Sequence, residues 1–198
     1  MGTTTNREVL IMKHQTFTTR KIAFAAMMAA LTAAGSALRI TMPLSIAGTT
    51  SFHLGNIMCA LSGILLGPGF GGLAAGLGSA MYDMFNPAYI DEAWLTFLMK
   101  GFYGLAAGSV VRLTGKEPSY ASSTLAALAG ALGYAVLYLL KSYYKAIWIQ
   151  GVAADAAWIV VVDKLPATVF NGAVAVIFAP VLAITIHKAL KKNHLTLN

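Results

Sequence analysis

Polar side chains are scarce in this chain, and those that interrupt its apolar runs are the groups able to do chemistry. His53 and Asn56 open one such run, Tyr82 and Asp83 close the next, and Trp94 and Lys100 stand near the start of a third. Lys164 and Asn171 lie seven residues apart, about two turns on one face of a helix. An imidazole, two amides, two ammoniums, a carboxylate and two aromatic rings form a set suited to holding a small polar molecule. Each also has a plainer reading. Lys100 either snorkels to the outer surface, pairs with Asp83, or faces a wet cavity, since a charge at membrane depth costs about 2.5–3.5 kcal/mol. Lys164 reads equally as an interfacial anchor. His53 suits a hydrogen-bonded helix start. Trp94 and Trp148 fit either an interfacial belt or a stacking surface for a flat heterocycle. Asn171 is the sharper candidate, because a buried amide wants partners on both sides.

Catalysis has little to stand on. The chain has no phosphate-loop lysine motif and no paired-histidine zinc motif, and Ser79 lacks the context of an activated nucleophile. His14, His53, His187 and His194 are scattered, and Cys59 is alone in an apolar run, so neither a metal site nor a disulfide framework is expected. No cofactor is expected either, and the chain reads as a non-enzyme.

The elements that must carry these residues are membrane helices. Of 198 residues, 58% are hydrophobic and only 11% charged, against about 25% charged in soluble domains; the mean hydropathy is +0.70. The net charge of +7 gathers in the two tails and one internal loop. No basic face is interleaved with aromatics, so nucleic acid is not the expected partner. The first twenty residues are polar and do not form a secretory signal. Asn6 stands where a myristoylation motif needs serine or threonine.

Apolar stretches predict an all-α integral membrane protein of six helices: Arg20–Leu38, Ser51–Leu66, Phe70–Phe85, Ala93–Arg112, Ala121–Leu140 and Lys164–His187. Residues 1–19 form an N-terminal tail, 20–187 one transmembrane domain and 188–198 a basic C-terminal tail. The second and third helices are joined by Gly67-Pro68-Gly69, which makes a single long helix improbable and predicts a hairpin with both polar ends at one mouth. A six-span path puts Arg7, Lys13, Arg20, Lys21, Arg112, Lys116, Lys188, Lys191 and Lys192 on one side. Arg39, Lys141 and Lys145, with Asp91, Glu92 and Asp155, fall on the other. The positive-inside rule then places both termini in the cytoplasm and the hairpin mouth outside.

Loops and small residues refine this picture. The segment Arg39–Thr50, with Pro43 and Gly48, is long enough to fold over a site. Val152–Val162 reads either as a covering helix or as the start of a long, broken last helix. Gly72-Leu-Ala-Ala-Gly76 and Gly104-Leu-Ala-Ala-Gly108 are placed to let two helices approach closely. Ala25, Ala26, Ala29, Ala30 and Ala33 make a smooth stripe on the first helix, fit to pack in the bundle or to dock another membrane protein.

The run Ser51-Phe-His-Leu-Gly-Asn-Ile-Met-Cys59, through Leu65-Leu-Gly-Pro-Gly-Phe-Gly-Gly72 to Tyr82-Asp-Met-Phe-Asn-Pro87, resembles the substrate-binding S components of energy-coupling factor (ECF) vitamin transporters. It is most similar to the riboflavin-type branch that includes proteins assigned to hydroxymethylpyrimidine or pyridoxine. Thr96-Phe-Leu-Met-Lys100-Gly and Lys164-Leu-Pro-Ala-Thr-Val-Phe-Asn171 fit the same pattern, and the likeness covers nearly the whole chain after Lys21. The resemblance implies a six-helix S-component bundle in a prokaryotic plasma membrane, with an outward pocket capped by the first outer loop. It implies a vitamin-like ligand, a transmembrane T component and two cytoplasmic ATPases as partners, and docking of the T component on the alanine stripe. Metal-transporting members begin with Met-His; this chain begins Met1-Gly2-Thr3, so the resemblance implies no metal substrate. Two other readings compete: a stand-alone secondary transporter or channel with Asp83 and Lys100 relaying protons, and an intramembrane enzyme of unrecognised chemistry.

Overall fold

The computed structural model describes residues 3–46, 49–115 and 117–195, with side chains from Thr19 onward. The cations Arg7, Lys13 and Lys116, His14, the start Met1-Gly2 and the loop residue Gly48, all used in the sequence reading, lie outside those described side chains. Five α-helices are formed by the described residues: α1 (Thr3–Ala37), α2 (Gly55–Met84), α3 (Ala93–Thr114), α4 (Tyr120–Trp148) and α5 (Ala154–Lys192). Among them α2, α4, α5 and the stretch Ile90–Thr114 that contains α3 are long and apolar enough to cross a membrane. α1 begins at Thr3 and so runs through most of the segment expected as a tail; that segment has no proline and no glycine beyond Gly2 to stop a helix.

α2 is a hairpin. At Gly67 the backbone turns with φ 77° and ψ −177°, a conformation almost confined to glycine, and Pro68 starts the second arm where its missing N–H costs nothing. The two arms run back along each other: Cys59 Sγ lies 3.6 Å from Ser79 Oγ, twenty residues on. The expected mouth therefore exists, with Asn56 and Asp83 both buried at it.

α3 packs against this hairpin through backbone rather than side chains. A Cβ on Gly63 would fall 2.3 Å from the Gly104 carbonyl oxygen, and one on Gly108 would fall 2.5 Å from the nitrogen of Pro68. Gly72 and Gly76 meet the carbonyls of Gly101 and Phe97 in the same way. Both Gly-Leu-Ala-Ala-Gly segments thus sit in a tight interface, as small residues permit in lipid.

On α1 the alanine stripe divides. Ala29 is only 7% exposed and packs on the second arm of α2, where its carbonyl oxygen would lie 2.2 Å from a Cβ on Gly78. Ala25 and Ala33 are half-buried, whereas Ala26 and Ala30 are exposed. Of the five alanines expected to dock a partner, Ala29 is thus buried inside the bundle, while Ala26 and Ala30 lie in an exposed row with Ala23 and Ala34.

Three outer elements differ from expectation. The segment after α1 is a β-hairpin, β1 (Arg39–Pro43) antiparallel to β2 (Thr49–His53), with Arg39 opposite His53. α4 continues to Trp148 rather than ending near Leu140, and a short 3-10 turn, Ile90–Glu92, precedes α3. α5 begins at Ala154 after a turn at Gly151 (φ 68°), so Val152–Val162 mostly belongs to a long last helix and Pro166 lies inside it rather than in its first turn. The added turns of α4 and α5 clasp each other through Ala146, Ala157 and Val160, with Leu44 from the hairpin connection packed on them.

Candidate ligand cavity

Where the mouth of the α2 hairpin meets α3, α4, α5 and β2, the structure encloses a polar cavity of about 180 Å³. Its floor is Lys100 of α3, a side chain only 3% exposed. The ammonium donates to Asn56 Oδ1 and sits 3.8 Å from the centre of the Tyr134 ring, so two elements satisfy it without a carboxylate. Asp83, on the second arm of α2, lines the cavity together with Thr96 of α3.

One wall is a ladder on α4. Tyr134 and Tyr138 stack at 5.6 Å with an interplanar angle of 18°, and Lys141 and Lys145 continue the same face. Glu92 accepts from both lysines and bridges the turn before α3 to α4. The opposite wall is α5. Lys164 Nζ donates to Ser142 Oγ at 3.1 Å and lies 5.0 Å from the centre of the Tyr138 ring.

The roof is β2, held from several sides. Asn171 Oδ1 accepts from the His53 backbone N–H at 2.9 Å, while its Nδ2 donates to the Ser51 carbonyl at 2.8 Å. A side-chain amide thus completes one edge of the strand as a neighbouring strand would. Tyr89 Oη lies 3.3 Å from Ser51 Oγ, and the Ser45 backbone N–H donates to Asp163 Oδ2 at 2.9 Å. Arg39 spreads over the rings of Tyr82 and Tyr89 at 4.0 and 4.9 Å and donates from Nε to the Ser36 carbonyl.

His53 Nδ1 accepts from the Gly55 N–H at 3.2 Å, the helix-start role. An accepting Nδ1 is an unprotonated nitrogen, and burial, followed by the charges of Lys100 and Arg39, holds the imidazole well below its usual pKa. His53 is therefore neutral. Among the described residues no three His, Cys, Asp or Glu side chains converge as metal ligands would.

Six of the eight candidate residues thus line one cavity: His53, Asn56, Asp83, Lys100, Lys164 and Asn171. Two do not. Trp94 is 63% exposed, because six residues along a helix place it about 120° around α3 from Lys100. Tyr82 lies under Arg39 and accepts from Asn86 Nδ2, outside the lining. The sequence reading missed Tyr134 and Tyr138 as site residues and took Arg39, Glu92, Lys141 and Lys145 only as outer-face charges. The spacing 134, 138, 141, 145 on a single helix face was the available signal.

A family model described as ECF-type riboflavin transporter, S component, matches residues 16–192. A search of curated proteins gave no match. The matched span takes in every residue that lines the cavity and all five helices except the first part of α1. A polar cavity set in apolar helices agrees with that family, which is one of transporter S components and not of enzymes. The chain belongs to the ECF-type riboflavin transporter S component family.

Proposed function

We propose that this protein is the high-affinity binding subunit for uptake of a vitamin-like small molecule, working with a T component and two cytoplasmic ATPases. The observation that carries the reading is the polar cavity at one end of an apolar bundle, roofed by a hairpin whose backbone is tied to α5 by Asn171. A binding subunit needs a site that opens to one side, closes over its ligand and then turns over with it. Counting the arms of α2 separately gives six spans in a prokaryotic plasma membrane, with both termini and the basic C-terminal tail cytoplasmic. The positive-inside balance supports that orientation. So does the pairing of Lys191 with Glu117 at the end of the bundle away from the cavity. His53, Asn56, Asp83, Lys100, Lys164 and Asn171 contact the ligand or hold the elements that do. The ATPases supply the energy, so this chain needs no phosphate-binding loop of its own.

The test is mass spectrometry of the purified full chain, together with uptake by proteoliposomes. A near-stoichiometric heterocyclic compound should be retained, and uptake should require the T component and ATPases. Proton-coupled flux through this chain alone, with no compound retained, would overturn the reading in favour of a secondary transporter.

A further inference from the structure

The charges around the cavity do not balance. Arg39, Lys100, Lys141, Lys145 and Lys164 line it against only Asp83 and Glu92. Glu92 is already shared by Lys141 and Lys145. Among the described residues Lys100 and Lys164 make no ion pair; their partners are an amide oxygen, a hydroxyl and two tyrosine faces. Neutral acceptors and ring faces stabilise an ammonium less than an anionic oxygen does, and a buried charge without a counter-charge is costly. Lys100 is almost fully buried on the floor.

Size narrows the ligand further. The cavity volume of about 180 Å³ lies below the roughly 300–1,000 Å³ typical of sites for drug-sized ligands. Lys100 flanks the Tyr134 ring and Lys164, bonded to Ser142, flanks the Tyr138 ring of the stacked pair. A volume of that order suits one aromatic ring with short substituents better than a fused three-ring system with a side chain.

We infer that the ligand is a small single-ring acid whose carboxylate or phosphate is bound by Lys100, with a second polar substituent on Lys164 and Ser142. This rests on the binding-subunit reading above. An acid of that kind brings the missing negative charge with it, so binding removes a cost the protein carries. It also explains the two tyrosines between the lysines, which offer a flat, apolar surface for the ring.

Matched pairs test it by isothermal titration of the purified full chain: nicotinate against nicotinamide, and pyridoxine 5′-phosphate against pyridoxine, with riboflavin as the large neutral comparison. The acid should bind at least tenfold more tightly than its neutral partner in at least one pair. Lys100→Met should erase that preference, whereas Lys164→Gln should weaken acid and neutral compound alike. Equal or tighter binding of the neutral member in both pairs overturns the inference while leaving the binding-subunit reading in place. Tightest binding of riboflavin does the same. If none of the five binds and no small molecule of any kind is retained on purification, the binding-subunit reading fails and the inference falls with it; retention of a different compound without an acidic group overturns the inference alone. Should Lys100→Met not fold, the wild-type pairs and Lys164→Gln decide the matter.

Discussion

Asn171 holds the roof of the cavity with both ends of one carboxamide, and this makes it a positioning residue for the hairpin. Removing it leaves a part-buried backbone N–H and C=O of β2 without their protein partners, at a cost of up to about 1–3 kcal/mol for each group that water cannot reach. Asn171→Ala should therefore weaken ligand binding roughly tenfold or more, mainly through faster release, since most affinity changes within one site appear in the off-rate. Stopped-flow release kinetics check this; an unchanged off-rate would show that the roof is held without Asn171. His53 carries a second prediction at the same scale. Its pKa is depressed in the folded protein, so the folded state disfavours the proton that the unfolded chain accepts near pH 6.5. The stability it contributes is complete above that value and is lost as pH falls below it. Thermal stability should rise between pH 5 and 7, and His53→Gln should flatten that rise when melting is followed at each pH. The polar lining was legible because Asn56, Asp83, Lys100 and Asn171 interrupt apolar runs that tolerate no idle polar group. Tyr134 and Tyr138 were not, because an aromatic in a membrane helix looks the same whether it faces lipid, core or ligand.

At the scale of elements, the α2 hairpin was the most legible part of the fold. Gly67-Pro68-Gly69 combines a residue free to adopt a positive φ with one that cannot continue a helix, and no single long helix survives that pair. Two substitutions separate the roles of its glycines. Gly67 has open space around its Cβ position, so Gly67→Ala carries only the backbone cost of its φ and ψ, about 1–3 kcal/mol. Gly63 has ordinary helical geometry, but a methyl there would meet the Gly104 carbonyl at 2.3 Å. Gly63→Ala must push α2 and α3 apart and should be the more damaging of the two. Unfolding midpoints in mixed detergent should rank the variants in that order; equal midpoints would mean that the α2–α3 interface yields easily. The outer elements were less legible for a common reason. Lys141 and Lys145 looked like the edge of a loop, yet α4 continues through them, with Glu92 accepting from both. Pro166 looked like a helix start, yet α5 passes through it, as membrane helices do when neighbours satisfy the freed carbonyl. β1 and β2 are five residues each and too short to show an alternating pattern. Their pairing is fixed by Tyr89 and Asn171, which are remote in sequence.

For the whole molecule, the proposed function turns on the outer face of α1 as the surface offered to a partner. A binding subunit that must turn over in the bilayer can be driven only through a face its partner can grip, and that face must be free of this chain's own packing. Ala29 fails this condition because Gly78 already packs against its backbone. Ala26 and Ala30 meet it: both are exposed, and with Ala23 and Ala34 they form an exposed row of small residues. Small residues in such a row let a second helix approach to backbone contact, so one branched side chain is enough to block it. Ala30→Leu should therefore abolish co-purification with the T component and ATPases while leaving ligand affinity unchanged, because Ala30 is exposed and does not line the cavity. Ala29→Leu should instead lower the unfolding midpoint and ligand binding together. Pull-down of the complex beside titration of the isolated subunit distinguishes the two. If Ala30→Leu still assembles fully, the gripping surface is elsewhere, and the exposed alanines merely face lipid. If it assembles poorly and also binds ligand poorly, α1 is coupled to the cavity through the Ala29–Gly78 contact, and turning over and release become one motion rather than two.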